Sequence, residues 1–491
     1  MDIDTAPEQM TQDLGYAALP YKDTYRPGPQ STLLARFSEK RPTFPSPSPP
    51  LLAFSEARCE IASSDIPNPI RMVLSGGILA TLCQSGWKER DPYLQLMDIN
   101  SADGDDFSCP EIHVPIGLSS VAGEICLDEE KKRVYVADSD RVKSYQWSFG
   151  DGDSLPVHTL KSDVYRGPMT LADSGSRLIR SGSKGIALWD LDSLPTHGEE
   201  GEAIIGEEME EVDSWRDNED DEVERSTGSV PSQTVDAPAL AGIDVWAEHP
   251  GNPKNMLVAR RDLGCQVWCA SLETQQVVTR FVGHNSGVST FATSSEDAGA
   301  FLTASDGGVR FYDARIPAPV FVIDHHTEPN GTVLYKHIGG HPFAIIGGTN
   351  SQQVKIWDLR ARLPLYELST GNNGVTSLAW DAERQDLYAA TYCQYMTRMG
   401  DYMGYRKAKF GDKIEDEEDE DDDYDDDDDD YDDEPRAWPE GAYHREFSFG
   451  HPLDSGEHRI YRYRFKPDAD VSRLPAYGQA TIERDGGMFG F

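Results

Sequence analysis

The side chains that could form a hydrolytic centre in this chain are His284, Asp306 and the hydroxyl of Thr303 or Ser305. A histidine between an aspartate and a hydroxyl is the arrangement that activates a serine nucleophile. Such a nucleophile usually stands in a Gly-x-Ser-x-Gly turn before a helix, and these residues do not lie in one. The chain also has no Gly-x-x-x-x-Gly-Lys phosphate loop and no His-Glu-x-x-His motif. We therefore expect no enzyme activity and no cofactor.

The sequence gives equally little support for a metal site. His325 and His326 are adjacent, and neighbouring side chains on a strand point to opposite faces. Cys265 and Cys269 are four residues apart and share one strand face, but no further ligands can be assigned to them. The long run of aspartates lacks the turn glycine and the spaced ligands of a calcium loop. We expect no dedicated metal site, and reduced, buried cysteines.

A short pattern recurs seven times and indicates the fold. It consists of a small apolar residue, two further positions, and then an aromatic residue or Met, usually followed by Asp. The intervals between the fourth positions are 48, 44, 79, 44, 45 and 106 residues, and both long intervals contain an acidic insert. A period of about 40–45 residues with alternating short strands is typical of a propeller blade. The fourth positions are Met97, Tyr145, Trp189, Trp268, Tyr312, Trp357 and Tyr463.

The unit from Gly283 to Ile323 is the clearest repeat. Its predicted strands are Val288–Ala292, Ala300–Ala304, Val309–Tyr312 and Val320–Ile323, separated by turn residues. Gly283-His284 and Tyr312-Asp313 stand at the Gly-His and Trp-Asp positions of the WD-repeat (WD40) family, which this unit resembles. Trp189-Asp190 and Trp357-Asp358 keep the family dipeptide itself. The resemblance implies a seven-bladed, all-β propeller, with a hydrogen-bonded chain of His284, Thr303 or Ser305, Asp306 and Tyr312 locking its blade.

Two consecutive repeats place an arginine two residues after the aspartate, in Tyr312-Asp-Ala-Arg315 and Trp357-Asp-Leu-Arg360. This resembles the box of substrate receptors of cullin-4 ubiquitin ligases. The resemblance implies that Arg315 and Arg360 contact the ligase adaptor. The same arginines are also compatible with an ordinary exposed surface.

Charge is concentrated in two segments of the chain. The net charge is −41; Glu415–Glu434 holds 18 carboxylates in 20 residues, and Glu199–Glu224 holds 14. The rest of the chain is only mildly acidic, which argues against direct binding to nucleic acid. The acidic segments are either solvated, disordered loops or binding sites for a basic partner such as a histone or a ribosomal protein.

These observations predict an extended N-terminal arm at 1–50, a propeller at 51–475 and a C-terminal tail at 476–491. Acidic, disordered inserts at 196–235 and 398–441 interrupt the propeller. The N-terminus lacks the basic and apolar regions of a signal peptide, and no apolar stretch is long enough to span a membrane. We expect a nuclear or cytoplasmic protein that acts as a non-catalytic scaffold for other proteins. The alternatives are a cullin-4 substrate receptor and, third, a propeller enzyme with a site in the central channel.

Overall fold

The structure is a computed structural model, and it consists almost entirely of antiparallel sheets. Its described residues include three short 3₁₀ turns, at Ile99–Ser101, Leu191–Ser193 and Pro238–Leu240. The described parts of the chain are 35–37, 57–63, 66–86, 89–101, 109–149, 154–209, 223–260, 266–306, 308–324, 331–409, 437–446, 448–449 and 452–465.

Seven sheets follow one another along the chain and form the blades of a β-propeller. In each blade the first strand is innermost and the sheet grows outward by antiparallel pairing. Two early strands, β1 (Ala35–Phe37) and β2 (Ala57–Ser63), join blades formed much later in the sequence. Blade 1 contains β3 (Asn68–Ser75), β4 (Ile78–Ser85), β5 (Asp91–Asp98) and β6 (Glu111–Val114); blade 2 contains β7 (Glu124–Asp128), β8 (Arg133–Ala137), β9 (Arg141–Gln146) and β10 (Leu155–Lys161); blade 3 contains β11 (Met169–Ala172), β12 (Arg177–Ser181), β13 (Gly185–Asp190) and β14 (Gln233–Asp236).

The remaining four blades repeat this arrangement, and blade 7 contains an excursion with its own small hairpin. Blade 4 contains β15 (Val245–His249), β16 (Asn252–Arg260), β17 (Gln266–Ser271) and β18 (Val277–Phe281); blade 5 contains β19 (Val288–Ser294), β20 (Asp297–Ser305), β21 (Gly308–Asp313) and β22 (Phe321–Asp324); blade 6 contains β23 (Thr332–Ile338), β24 (His341–Gly348), β25 (Gln353–Asp358) and β26 (Leu363–Ser369); blade 7 contains β27 (Gly374–Asp381), β28 (Asp386–Tyr392) and β31 (Arg459–Phe465), with β29 (Tyr405–Lys407) and β30 (Ala437–Pro439) forming the hairpin.

The prediction of a seven-bladed, all-β propeller is therefore confirmed. The four strands predicted in the clearest repeat correspond to β19, β20, β21 and β22. Each recurring pattern forms the third strand of a different blade, and its fourth residue is buried in every case. These residues pack between neighbouring sheets, because a blade cannot cover both of its apolar faces alone.

Most of these buried aromatic residues also donate a hydrogen bond from their side chain to a backbone carbonyl outside their own sheet. In blades 2, 4 and 5 the acceptor belongs to the chain segment that leads in from the preceding blade, and in blade 7 it is the last residue of the preceding blade's outer strand β26. Blade 3 differs, because its acceptor lies in the acidic insert. The pairs are Tyr145–Ile116, Trp268–Ala239 at 2.9 Å, Tyr312–Val282 at 2.7 Å, Tyr463–Ser369 at 2.6 Å and, in blade 3, Trp189–Ser229 at 3.1 Å.

The ring closes through a strand from the beginning of the chain. β2 pairs with β31 from Ala57↔Phe465 onward and forms the outer strand of blade 7. On its inner side, blade 7 joins blade 1 where Ser377 Oγ accepts a hydrogen bond of 3.0 Å from the Met72 backbone N–H. β1 pairs with β26 as a fifth strand of blade 6. Residues 35–37, assigned to the N-terminal arm in the sequence analysis, thus belong to a blade.

The strand order gives the ring two distinct faces. We call the face with the second-to-third-strand turns and the connections between blades the upper face; residues 115–123 and 182–184 lie there. The lower face carries the first-to-second and third-to-fourth-strand turns, such as 173–176 and 359–362. This assignment follows because neighbouring strands of each blade are antiparallel.

Candidate binding surfaces

Arg315 and Arg360 lie on the lower face, in the third-to-fourth-strand turns of adjacent blades 5 and 6. Each arginine forms a fork with the aspartate two residues before it. Arg315 donates to Asp313 through Nε at 2.8 Å and Nη2 at 2.6 Å, and its side chain is 84% exposed. The hydrogen bonds from Arg315 lower the pKa of Asp313 to about 2. This arginine presents the outer side of its guanidinium to solvent.

Arg360 makes the same fork but is more enclosed. It donates to Asp358 through Nη2 at 2.7 Å and Nε at 3.2 Å, and it also contacts His341. Its side chain is 32% exposed, whereas Asp358 is fully buried. A buried carboxylate needs a charged partner. Arg360 therefore stabilises its own blade as well as reaching the surface, which the sequence pattern alone does not distinguish.

The blade-locking group predicted in blade 5 is present only in part. His284 Nε2 lies 3.0 Å from Tyr312 Oη and 3.4 Å from Thr303 Oγ1. Asp306 is exposed, and the second imidazole nitrogen of His284 has no hydrogen-bond partner within the described residues. Burial, with a smaller effect of Arg310, lowers the pKa of His284 to about 3. The structure thus brings His284, Thr303 and Tyr312 together and leaves Asp306 away from the imidazole.

This geometry bears on the hydrolase interpretation of the same residues. A catalytic triad needs a carboxylate on the second imidazole nitrogen to orient the ring and to stabilise its cation. The Ser305 hydroxyl instead accepts a hydrogen bond of 2.6 Å from Arg310 Nη1. The His284 imidazole is therefore neutral and hydrogen-bonded to the buried Tyr312, so it stabilises the blade.

The central channel is a cavity of about 550 Å³ that reaches the inner strands of all seven blades. Most of its lining consists of small, hydroxyl-bearing or apolar side chains. Its charged groups are Arg71, Glu124, Asp244 and Lys336, and Arg71 pairs with Glu124 at 2.6 Å. Its lining includes no histidine or cysteine, and no group of three potential metal ligands occurs in the described part of the chain. His325, His326 and Cys265 lie outside the described residues.

The first acidic insert does not simply loop away from the ring. Its outgoing part lies on β10, where His197 Nε2 is 2.8 Å from Thr159 Oγ1. Its returning part forms a parallel bridge between Ser229 and Leu160 and then becomes β14. Residues 210–222 lie outside the described residues. The range predicted as an insert, 196–235, therefore includes a short layer on blade 2 and part of a blade 3 strand.

Glu224 anchors the returning part of this insert in a charged cluster. Its Oε2 lies 2.9 Å from Lys143 Nζ and accepts a hydrogen bond of 3.0 Å from Thr159. The Arg141 guanidinium holds the backbone carbonyls of Glu224 at 2.6 Å and of Ser226 at 3.0 Å. Burial alone would raise the pKa of Glu224, but Lys143 and Ser226 more than offset it, and the pKa falls to about 2. Burial lowers the pKa of Lys143 to about 8 despite Glu224.

The same contacts show where the tip of the first insert emerges. The Glu224 backbone N–H donates to Gly117 O at 3.0 Å, and Arg141 begins β9 at the second-to-third-strand turn of blade 2. Both positions belong to the upper face. The insert begins on the lower face, after β13, and runs along the outer strand of blade 2. It reaches the upper face at the residues that flank 210–222.

The second insert connects β28 to β31, so it also belongs to the upper face. Its described part includes the β29–β30 hairpin, in which Trp438 is buried and donates to His444 O at 3.2 Å. His444 in turn lies 2.7 Å from Ser351 O, in the upper turn of blade 6. The strongly acidic run connects β29 to β30 and lies outside the described residues. Both acidic runs thus start and end on the upper face, one over blade 2 and the other at the β29–β30 hairpin, which is inserted in blade 7 and contacts blade 6.

No family model matches this chain, and no curated protein is significantly similar to it in sequence. Among the described residues, no helix has the length and hydropathy of a membrane-spanning segment.

Proposed function

We propose that this chain is a non-catalytic protein-binding platform, a propeller of the WD-repeat type, whose upper face binds a basic protein. The observation that supports this proposal is the common position of the two acidic runs. The ends of both lie on the upper face, although the inserts originate from different strand connections. Residues 210–222 carry eight carboxylates and one arginine, and Glu415–Glu434 carry 18 carboxylates.

Two carboxylate runs on one face attract a cationic protein over a long range. Attraction between exposed charges extends over a Debye length, about 8 Å at physiological salt and about 3 Å at 1 M. Clustered charges of one sign also raise the rate of association with an oppositely charged partner. Histones and ribosomal proteins have the required charge. Such a partner would be met in the nucleus or the cytoplasm.

The test compares the wild-type chain with a variant in which the 18 carboxylates of 415–434 are replaced by Asn and Gln. This variant keeps the length of the segment and the described contacts. At 50 mM salt we expect core histones to bind the variant at least tenfold more weakly, and the difference to disappear near 1 M. Equal isotherms at every salt concentration would leave the acidic run as a solvating segment and refute the proposal.

A second candidate function uses the lower face. Two Asp-x-Arg forks in adjacent blades favour docking to the adaptor of a cullin-4 ligase, because each presents a guanidinium in a fixed orientation. Arg315→Ala tests this best, since this side chain is the more exposed of the two. We expect loss of co-purification with the adaptor at unchanged melting temperature. Failure of the wild-type chain to retain the adaptor would exclude this function.

A further inference from the structure

Exposed apolar side chains cluster in one loop of the second insert. Of the ten large hydrophobic residues that are exposed in the described part of the chain, three lie between residues 399 and 403. Met399 is 68% exposed, Met403 62% and Tyr402 37%. Single exposed hydrophobic residues need no explanation, whereas a cluster marks a binding site. The loop lies on the upper face, immediately before β29.

The structure of this loop keeps these side chains at the surface. Met396 and Tyr402 form an antiparallel bridge, and Gly400 turns the chain at a φ of 84°. The Thr397 hydroxyl accepts hydrogen bonds from the backbone N–H groups of Met399 at 3.2 Å and Asp401 at 3.1 Å. The two methionines are therefore presented by a closed, hydrogen-bonded turn.

A groove of about 390 Å³ separates this loop from blade 1. One wall is the loop, including Met396 and Arg398, and the opposite wall includes Gln84 and Tyr93 of blade 1. Arg398 spans the groove to Glu89 at 3.3 Å and joins the two walls. The volume is within the range of pockets that enclose a small ligand or one or two side chains.

From this placement we infer that the exposed apolar side chains of the 396–403 loop, beside this groove, bind an apolar side chain carried by a lysine- and arginine-rich segment of the partner. The inference rests on the proposed function and names the short-range contact of the same face. The charge follows from position, because the groove lies between blades 7 and 1, and the ends of the acidic runs lie on the same face, over blade 2 and at the β29–β30 hairpin that contacts blade 6. The apolar contact follows from Met399, Tyr402 and Met403, which lie on the same loop but do not line the groove itself. Methionine adapts its shape to varied partners.

The experiment uses two synthetic 20-residue peptides with the same number of lysines and arginines. One contains two Leu and one Phe, and the other has Ser at those three positions. Fluorescence anisotropy measures their binding to the full chain, to Met399→Ser/Met403→Ser, and to a control variant, Val278→Ser/Val282→Ser. The control valines are 55% and 56% exposed and lie at the outer strand of blade 4.

We expect the wild-type chain and the control variant to bind the apolar peptide roughly tenfold or more tightly than the serine peptide, the gain from burying one or two apolar side chains. The methionine variant should lose this preference and keep its affinity for the serine peptide. The preference should persist at high salt. An equal preference in the methionine variant, or no preference in the wild type, would overturn the inference.

The same experiment distinguishes a failure of the proposed function from a failure of the inference about the loop. If neutralising 415–434 leaves the binding of both peptides unchanged, the acidic run has no part in binding, whatever the methionine variant does. If neutralisation weakens both peptides and the methionine variant changes nothing, the proposed function stands and the inference about the loop is wrong.

Discussion

Replacing Glu224 by Gln should destabilise the whole propeller, although this residue belongs to an acidic insert. Its carboxylate faces Lys143, whose side chain is 1% exposed, while that of Glu224 is 20% exposed. The Gln side chain keeps the size of Glu and can still accept hydrogen bonds, but it carries no charge. Lys143 would then be buried in blade 2 without its carboxylate partner.

The expected loss follows from this burial. Removing one partner of a buried ion pair costs about 3–5 kcal/mol, because the other charge stays out of water. Since a fifth of the Glu224 side chain is exposed, we expect the lower end, roughly 3 kcal/mol of unfolding free energy. For a protein of this size that corresponds to a fall of about 3–4 °C in melting temperature.

Differential scanning calorimetry and limited proteolysis test this expectation. Glu273→Gln is the matched control, because Glu273 pairs with Lys254 at 2.6 Å but both side chains are more than 60% exposed. The control should melt like the wild type. Glu224→Gln should melt earlier and be cleaved sooner near residues 223–229. Equal melting temperatures for the two variants would refute the reasoning.

The pH dependence gives an independent check on the same cluster. Glu224 raises the pKa of Lys143, so its replacement lowers that pKa further. An unfolded lysine keeps its proton to about pH 10. Between the folded and unfolded pKa values the unfolded state binds more protons, and stability rises with pH. Glu224→Gln should therefore recover stability from pH 7 to 9 relative to the wild type, and the double variant with Lys143→Met should show no such recovery.

Three further predictions test other parts of the ring. Arg360→Ala should lower the free energy of unfolding by about 2–3 kcal/mol, because it leaves the buried Asp358 carboxylate without its cation. Arg315→Ala should leave the melting temperature unchanged. Equal shifts in melting temperature for the two variants would contradict the different burial of the two forks. Burial raises the pKa of Asp454 to about 7. This carboxyl group should therefore make the wild type less stable as the pH rises from about 4 to 7. Unfolding free energies measured at pH 5 and 8 should show that Asp454→Asn lacks this loss of stability. Burial lowers the pKa of His284 to about 3, so the imidazole resists protonation in the folded state. Denaturant unfolding at pH 7 and 4.5 should therefore show a smaller loss of stability for His284→Gln than for the wild type.

The repeat was the part of the fold that could be predicted from the sequence. The third strand of every blade buries an aromatic residue or Met against its neighbour, and this requirement returns once per blade. The contributions of β1 and β2 could not be predicted in the same way. Their partners, β26 and β31, lie hundreds of residues later in the chain, and no local pattern encodes such a pairing.

The charged cluster shows a similar limit. Composition treats Glu224 as one of 14 carboxylates in an acidic segment, and its partner Lys143 is 81 residues away. A signal was nevertheless present in Val142-Lys-Ser-Tyr145, where a lysine interrupts a strand that is otherwise buried. A buried cation requires a carboxylate from elsewhere. Which carboxylate supplies it depends on the path of the insert over blade 2, which only the structure provides.

The closing of the ring by β2 has a consequence for synthesis. The ribosome delivers residues 57–63 early, but their partner strand, 459–465, appears almost 400 residues later. At about 5–20 residues per second, β2 waits some 20–80 s before it can pair. During this time the growing chain exposes a strand edge that another chain could occupy. A chain that stops before Arg459 would keep this edge permanently, and its seventh blade could not join the first and last parts of the protein.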